Sequence, residues 1–357
     1  MNNAISTVVS PNFRSSTAAD EPAIAALLRE SLGLAPGHPM AEPIHLHWKY
    51  WEPHPNWAGS RSYVYLQDGQ IVAHGAVIPN VCLWRDQRIK VVHVIDWAAK
   101  PESGGSGVAL MKQIGKLADM IFAVGGSELT QQILPMIGFK ECGTTVKRYA
   151  RPVRPLLRLV NPEYRSWRLA PQVMRGIFWT LTAPSRPGAE WSAQRILPNQ
   201  LAAASIIWPR PKLGTTVFER SSASMSYLLR CPATPMESFS VHKHGRLRGY
   251  FLLAFAPAQA RIVDCWIDSD ELYEWRAMVQ LAVGQAKARA HVAEVASMCS
   301  DPLFEAALVE CGFHMRHATP MWLRAPSGVA RPDATIRFLM ADSDEAFLHN
   351  GRNNLWA

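Results

Sequence analysis

The sequence has few cysteines, and their spacing follows no pairing pattern. Six cysteines are spread over 357 residues, and no two of them form a C-x-x-C pair. This spacing argues against a zinc ribbon and against a scaffold held together by disulfides. We expect thiols in a reducing compartment, and we expect Cys265 and Cys311, which lie in apolar stretches, to pack in the core.

Long apolar runs are also absent. No stretch approaches the roughly 20 uninterrupted apolar residues that cross a bilayer, and the first thirty residues show no basic start followed by an apolar run of signal-peptide length. These absences predict a cytoplasmic protein without a transmembrane segment. His45, His47 and His54 have no cysteine or carboxylate nearby in metal-ligand register, so we expect no metal site.

The composition is that of an ordinary globular chain, but its charge is unevenly spread. Hydrophobic residues make up 48% and charged residues 18% of the sequence, and the length predicts about two domains. The net charge is +8, and residues 147–176 alone carry +7 with Glu163 as their one acid. Their basic residues are Lys147, Arg148, Arg151, Arg154, Arg158, Arg165, Arg168 and Arg175. Such an excess attracts polyanions (coenzyme phosphates, RNA, a charged polysaccharide precursor or a membrane surface), unless it is a solvated linker.

Prolines divide the chain into two halves. The stretch 151–188 is basic and rich in proline, which predicts a linker between a first domain at 1–150 and a second at 189–330. Residues 331–357 are left as a C-terminal tail.

The two halves show the same order of predicted elements. In the first, a strand and an amphipathic helix precede a hairpin around Gln67-Asp68-Gly69, and a later strand leads through a glycine-rich loop into a helix. The second half has its hairpin around His244-Gly245-Arg246. In both halves a late helix closes with a Gly-Phe pair, Gly138-Phe139 and Gly312-Phe313, and in the first half a final strand follows at about 142–149. The repeated order predicts two lobes of one architecture.

The glycine-rich loop is the most informative stretch of the chain. It runs Pro101-Glu102-Ser103-Gly104-Gly105-Ser106-Gly107 between a strand and a helix. Glycines here let successive backbone N–H groups converge next to a helix N-terminus, an arrangement that binds a pyrophosphate. The loop is neither a Walker A loop nor a G-x-G-x-x-G dinucleotide fingerprint. Because glycine-rich turns also occur as plain connectors, the loop alone leaves both interpretations open.

In its context the loop resembles the acyl-CoA signature of the GNAT N-acyltransferase superfamily, Q/R-x-x-G-x-G/A. Gly104 stands at the Q/R position, and Gly107 and Ala109 stand at the two later positions. The order of helix, hairpin, signature and closing Gly-Phe also follows the family. The resemblance covers about 1–150 well, and about 190–325 as a degenerate second copy.

This resemblance implies an α/β fold of two GNAT-like lobes, each a mixed central sheet flanked by helices. It implies acetyl-CoA or another acyl-CoA as co-substrate, with a pantetheine arm that pairs with the signature strand and oxyanion donors near Ala98 and Ala99. The implied cofactor-binding residues are Ala98, Ala99, Gly104, Gly105, Ser106, Gly107, Val108 and Ala109. In the second copy the acidic stretch Asp268-Ser269-Asp270-Glu271 would repel a diphosphate, so we expect a single coenzyme site.

The implied reaction is direct attack of a primary amine on a bound thioester, with a small acceptor such as an amino sugar or an amino acid. Asp96 is the candidate catalytic base, because a carboxylate between Ile95 and Trp97 is expected to have a raised pKa. The alternative is a carboxylate that pairs with a neighbouring Arg or a backbone amide, which the matching Asp264 of the second half favours.

Four other residues are candidates for contact with the acceptor, namely His74, His93, Ser127 and Glu128. For the two histidines the alternative is a satisfied position in or near the core. For Ser127 the alternative is a helix N-cap.

Two departures from the family pattern keep other functions open. The usual Arg or Gln of the signature is Gly104, and the Tyr that often serves as general acid is replaced by Leu134. Both are consistent with a catalytically silent module that binds an acyl-CoA or a partner protein. An aminoacyl-tRNA-dependent transferase with two such lobes is a further alternative, in which nucleic acid would bind residues 147–176.

Overall fold

The computed structural model describes residues 11–84, 87–160, 169–184, 186–212, 214–325, 335–349 and 355–356. The first half of the chain contains six strands and four helices within these ranges. They are β1 Phe13–Ser15, α1 Glu21–Leu32, α2 Pro43–Tyr50, β2 Ser62–Gln67, β3 Gln70–Trp84, β4 Gln87–Ala99, α3 Ser106–Ile114, β5 Met120–Val124, α4 Glu128–Met136 and β6 Lys140–Pro152.

The second half begins with two additional helices and then follows the same order, except that a strand takes the place of the first helix and a further strand is added at the end. Its elements are α5 Leu157–Val160, α6 Leu169–Thr182, β7 Trp191–Ile196, β8 Thr215–Phe218, α7 Ser222–Leu229, β9 Met236–Lys243, β10 Arg246–Ala256, β11 Gln259–Ile267, α8 Leu272–Lys287, β12 Glu294–Cys299, α9 Pro302–Glu310, β13 His314–Arg324 and β14 Thr335–Arg337. Each half thus builds a mixed sheet with flanking helices, and the predicted α/β class is confirmed.

Turn chemistry explains the two predicted hairpins. Asp68 and Gly69, between β2 and β3, have φ angles of +52° and +75°, and His244 and Gly245, between β9 and β10, have +49° and +73°. Two consecutive positive φ angles match the right-handed twist of the flanking strands, which is why a glycine is needed at the second position. Both hairpins form where the sequence predicts them.

The two lobes exchange their closing strands. The sheet order is β1-β2-β3-β4-β5-β13-β6-β12-β11-β10-β9-β7. Strand β6 from the first half therefore pairs with β12 of the second, and β13 from the second half pairs with β5 of the first. Strands β6 and β13 also pair with each other, antiparallel. A division of the chain near residue 150 consequently separates two halves of the sequence but not two independent sheets, because strands of one half are hydrogen-bonded to strands of the other.

The predicted linker and tail both contain ordered structure. Helices α5 and α6 lie within 151–188, while residues 161–168, with the predicted basic residues Arg165 and Arg168, are outside the described ranges. In the tail, β14 pairs with β8. The residues after it, 338–349, form what we call the C-terminal segment, and its Phe338 and Met340 are fully buried in the core between the lobes.

Helices cover both faces of the first-lobe sheet. Helices α1 and α2 pack on one face through residues such as Leu28 and Leu46. Helix α3 packs on the other face through residues such as Leu110 and Ile114. The apolar residues of each helix recur at helical spacing, so one side of each helix faces the sheet.

The cysteines are free thiols. Cys265 and Cys311 are fully buried, as predicted, and Cys142 alone of the six is half-buried. In the parts of the chain that the structure describes, no helix has the length and apolar composition that a membrane crossing requires.

The exchanged strands predict that neither half folds alone. A fragment of residues 1–185 would expose the free edge of β5 and would leave β6 without β12 and β13. We expect this fragment to lack a cooperative urea transition by circular dichroism, because unpaired buried strand edges are strongly destabilising. Co-expressed with residues 186–357, it should copurify as a complex. Cooperative unfolding of the isolated fragment would contradict the exchange.

Candidate active site

A β-bulge in β4 determines where the candidate site lies. The pairing of β3 with β4 shifts register between His74 and Ala76, so Gly75 lies opposite two residues, Asp96 and Trp97. Asp96 has a φ of +51°, an unusual value for a residue other than glycine. A bulge turns side chains away from the regular alternation of a strand. It directs Asp96 towards α2.

Asp96 is held by two consecutive residues of α2. The Nζ of Lys49 lies 2.5 Å from Oδ2 of Asp96, and the hydroxyl of Tyr50 donates to the same oxygen at 2.6 Å. The side chain of Asp96 has no exposed surface. Burial alone would raise its pKa, but Lys49 and Tyr50 stabilise the carboxylate and the pKa is lowered. The expectation of a raised pKa was therefore wrong, because the sequence did not reveal the ammonium partner.

The glycine-rich loop follows β4 directly. Gly104 and Gly105 have φ angles of +24° and +78°, and no atom lies within 4 Å of the position that a Cβ on either of them would take. Helix α3 begins at Ser106, and the first N–H groups of a helix have no partner within it. The outer side of the loop is thus open and lined by amides. Ala109 contributes no free amide, since its N–H donates to the carbonyl of Gly105 at 2.9 Å.

Gly107 brings α3 close to β4. A Cβ at this position would lie 3.1 Å from Cβ of Ala99 and 3.3 Å from Nε1 of Trp97. The same indole donates a hydrogen bond to the Gly107 carbonyl at 3.0 Å. A side chain at residue 107 would separate the helix from the strand, so the third glycine has a packing function.

Strands β4 and β5 diverge beside this loop. They pair in parallel from Val91 to His93 only, and β5 continues along β13. From residue 94 to Ala99, the edge of β4 on that side has no partner among the strands that the structure describes. The resulting groove ends at the glycine-rich loop, and Ala98 and Ala99 lie on its edge.

Several solved structures have a similar fold. A GCN5-related N-acetyltransferase from Anabaena variabilis has a TM-score of 0.56 and 12% identity over 88% of this chain and 72% of that one. A tandem GNAT protein from the clavulanic acid biosynthesis pathway has a TM-score of 0.54 and 12% identity over 89% of this chain and 99% of that one. The chain has the GNAT fold. No family model matches the sequence, and no curated protein matches it either.

The GNAT fold places the two predicted histidines in the core. The ring of His74 lies 2.9 Å from Ser62 Oγ and 3.0 Å from the carbonyl of Asp96. The ring of His93 stacks on Phe122 and lies 3.2 Å from the carbonyl of Asp342. Burial lowers the pKa of each histidine to about 4. Both are neutral hydrogen-bonding groups that support β4 from within.

Ser127 and Glu128 lie at the start of α4 and are exposed. The hydroxyl of Ser127 accepts from the N–H of Thr130 at 3.2 Å, so Ser127 is the N-cap of this helix. Leu134, further along α4, is buried in the core beside α3.

The C-terminal segment brings two further carboxylates that the sequence analysis did not identify as site residues. Oδ1 of Asp342 accepts from Arg220 at 2.7 Å, and Arg220 also donates to Asp264 at 2.7 Å. Burial raises the pKa of Asp342 to about 6. Nothing in the sequence spacing indicates that this segment returns to β4, where the Asp342 carbonyl contacts His93.

Asp344 is the second of these carboxylates; the residue as a whole is half-buried, and its carboxyl group is surrounded by protein atoms. Burial raises its pKa to about 7; the nearby charge of Lys49 opposes this shift and that of Asp96 adds to it. The ammonium of Lys49 also lies 5.4 Å from the centre of the Phe347 ring. Lys49 therefore interacts with a carboxylate on β4 and with one on the C-terminal segment.

A cavity between the lobes reaches this cluster. Its lining includes Lys49, Asn80, Arg220, Tyr227, Asp264 and Phe347. The amide nitrogen of Asn80 is buried and has no hydrogen-bond partner among the described residues. Within the same ranges, no group of three or more His, Cys, Asp or Glu side chains is placed to hold a metal ion.

The ion pair predicts a large loss of stability when one partner is removed. Lys49→Met leaves the buried Asp96 carboxylate unpaired, and we expect the free energy of unfolding to fall by about 3–5 kcal/mol. Adding Asp96→Asn should restore part of this loss, because a neutral amide needs no counter-charge. Urea unfolding measures both variants, and additive losses in the double variant would contradict the pairing. Because the pKa of Asp96 is lowered, the pair's contribution should be present at pH 7 and lost as the pH falls below about 4.

Proposed function

We propose that the protein is an N-acyltransferase that moves an acyl group, acetyl in the simplest case, from an acyl-CoA to a primary amine of a small molecule such as an amino sugar or an amino acid. One observation carries this proposal. Within a single strand-loop-helix unit, β4 leaves β5, then has a bulge, and then enters a loop of glycines at the start of α3. The GNAT fold of the chain supports the same activity.

The loop residues fit a diphosphate. The amides of Gly105, Ser106, Gly107 and Val108 would hold it at the positive end of α3, in the space that the missing side chains leave open. The unpaired edge of β4 at Ala98 and Ala99 would accept an extended pantetheine arm in the manner of an added strand. The co-substrate supplies the thioester, and the chain orients the amine against it.

In the second lobe the corresponding space lies between the ends of β11 and β12, and residues 337–339 of the same chain bridge it. Arg337 donates to the carbonyl of Cys265 at the end of β11 at 2.8 Å, and to Asp301, just after β12, at 2.6 Å. Leu339 forms a β-bridge with Cys299. Together with the acids at 268–271, this supports a single coenzyme site in the first lobe.

The amine must lose a proton, and two carboxylates are available. Asp96 is the base predicted from the sequence, and its Oδ1 is buried without a hydrogen-bond partner among the described residues. Asp344 is half-buried, and a carboxyl group with a pKa near 7 suits proton transfer at neutral pH. We propose that these two carboxylates together remove the proton that the amine loses. Asp344 contacts the substrate, and Asp96 keeps Lys49 in place.

A catalytically silent acyl-CoA-binding module is the alternative that specific residues favour. Gly104 supplies no side chain to the signature, and the buried Leu134 cannot act as a general acid. A silent module would bind acyl-CoA at the same loop as the proposed enzyme, but it would not transfer the acyl group.

Acyl-CoA binding is the first test. Gly107→Val would wedge α3 away from β4 and should weaken acetyl-CoA binding at least about tenfold by calorimetry. Gly284→Val is the matched control, since Gly284 lies in α8 with no atom within 4 Å of its Cβ position. Equal affinity of the two variants would contradict the loop assignment, and no binding by the wild type would remove both the enzyme and the silent module.

Turnover is the second test, measured as CoA release from acetyl-CoA with a panel of amino sugars and amino acids. We expect the rate to rise with pH through about 7, since Asp344 must lose its proton to act as a base. Asp344→Asn should lower the rate by about 10²–10⁴-fold and abolish this rise. The variant Asp96→Asn distinguishes the role of Asp96 from that of Asp344. If the rate of Asp344→Asn still rises with pH and that of Asp96→Asn does not, Asp96 is the catalytic base. If the wild type shows no turnover, the silent module is favoured.

A further inference from the structure

Helix α6 carries apolar side chains on its solvent side. Met174, Phe178 and Leu181 are 65%, 64% and 79% exposed. Residues at this spacing of four and three lie in one stripe along a helix. The opposite side of the helix is packed inward, where a Cβ on Gly176 would come within 2.8 Å of Pro155. Among the described residues, helix α6 thus packs on one side and leaves three large apolar side chains exposed on the other.

Two arginines border this stripe. The guanidinium of Arg175 lies 4.8 Å from the centre of the Trp179 ring, and that of Arg316 lies 4.9 Å from it. The same indole stacks on His314 at 3.7 Å. Burial lowers the pKa of His314, and the two arginines add to this effect. The guanidinium groups of Arg175 and Arg316 and the ring of His314 therefore all contact the indole of Trp179.

These arginines have no acidic partner within the described ranges. No ion pair involves Arg175 or Arg316 there, and Nε and one terminal nitrogen of Arg316 are buried without any hydrogen bond. A buried guanidinium donor that lacks an acceptor is costly. Arg175 is exposed, and an anionic group brought beside it would offset the positive charge of both guanidinium groups.

We propose that this face of α6 docks on a membrane surface of anionic phospholipid. Met174, Phe178 and Leu181 would insert among the acyl chains, and Arg175 and Arg316 would bind lipid phosphate. Apolar side chains flanked by arginine and tryptophan are the features of helices that lie in the interfacial plane of a bilayer. Guanidinium groups pair with phosphate through two parallel hydrogen bonds.

Charge and shape favour this partner over two others. A second copy of the chain joined about a two-fold axis would place like arginine clusters close together, which is unfavourable. RNA would satisfy the arginines, but it offers no apolar phase for the exposed stripe of three large side chains. The proposal does not depend on acyl transfer.

The test uses the full chain and vesicle flotation. We expect the wild type to float with vesicles of phosphatidylglycerol and phosphatidylcholine, and to float at least about tenfold less with phosphatidylcholine alone. Phe178→Asp with Leu181→Asp should reduce binding to the anionic vesicles at least about tenfold, and Arg175→Glu should also reduce it. Met136→Asp is the matched control, because Met136 is 82% exposed on another helix. It should bind like the wild type.

Melting temperatures check that all variants fold. If the double variant is unfolded, the Arg175→Glu variant provides the test in its place. Absence of flotation, or equal flotation of the wild type and the double variant, would overturn the proposal. So would a dimer in light scattering that the double variant abolishes, or RNA binding at physiological salt without any vesicle binding.

Discussion

The buried contact between Lys49 and Asp96 is the interaction on which the candidate site depends. It joins α2 to β4 at the bulge, three residues after the last pairing of β4 with β5 at His93. A carboxylate without exposed surface is stable only with a partner of opposite charge. The second lobe solves the same problem with Arg220 and Asp264. In both lobes a tyrosine hydroxyl, from Tyr50 or Tyr250, completes the pair.

The C-terminal segment makes the two lobes different. Arg337, just before it, joins the diverging ends of β11 and β12 by hydrogen bonds, whereas no hydrogen bond among the described residues joins the diverging ends of β4 and β5. The segment then crosses the core between the lobes and presents Asp342 and Asp344 to the two ion pairs. Among the described residues, Arg337 and the C-terminal segment thus make the two lobes differ at the point where their parallel strands diverge.

Local features could be predicted from the sequence, but long-range pairing could not. The hairpin at Asp68-Gly69 and the strand over 120–124 follow from turn chemistry and apolar patterning. The exchange of β6 and β13 leaves no such trace, because both strands have patterns that suit either lobe. The same limit explains the pKa of Asp96, since its neighbours in sequence are apolar and its partner Lys49 lies in a separate helix. Sequence spacing describes neighbours along the chain, whereas the pKa depends on neighbours in space.

Charge balance explains why two carboxylates of the segment have raised pKa values. Lys49 compensates Asp96, and Arg220 compensates Asp264, so each additional carboxylate enters a neighbourhood where the cation is already paired. Burial then favours its protonated form. Asp342 is fully buried and is bonded to Arg220 and to a backbone amide, so its proton is isolated from any substrate. Asp344 has the same electrostatic origin, but the residue as a whole is only half-buried. It is on this difference from Asp342 that we base the proposal that Asp344, and not Asp342, exchanges a proton with the amine.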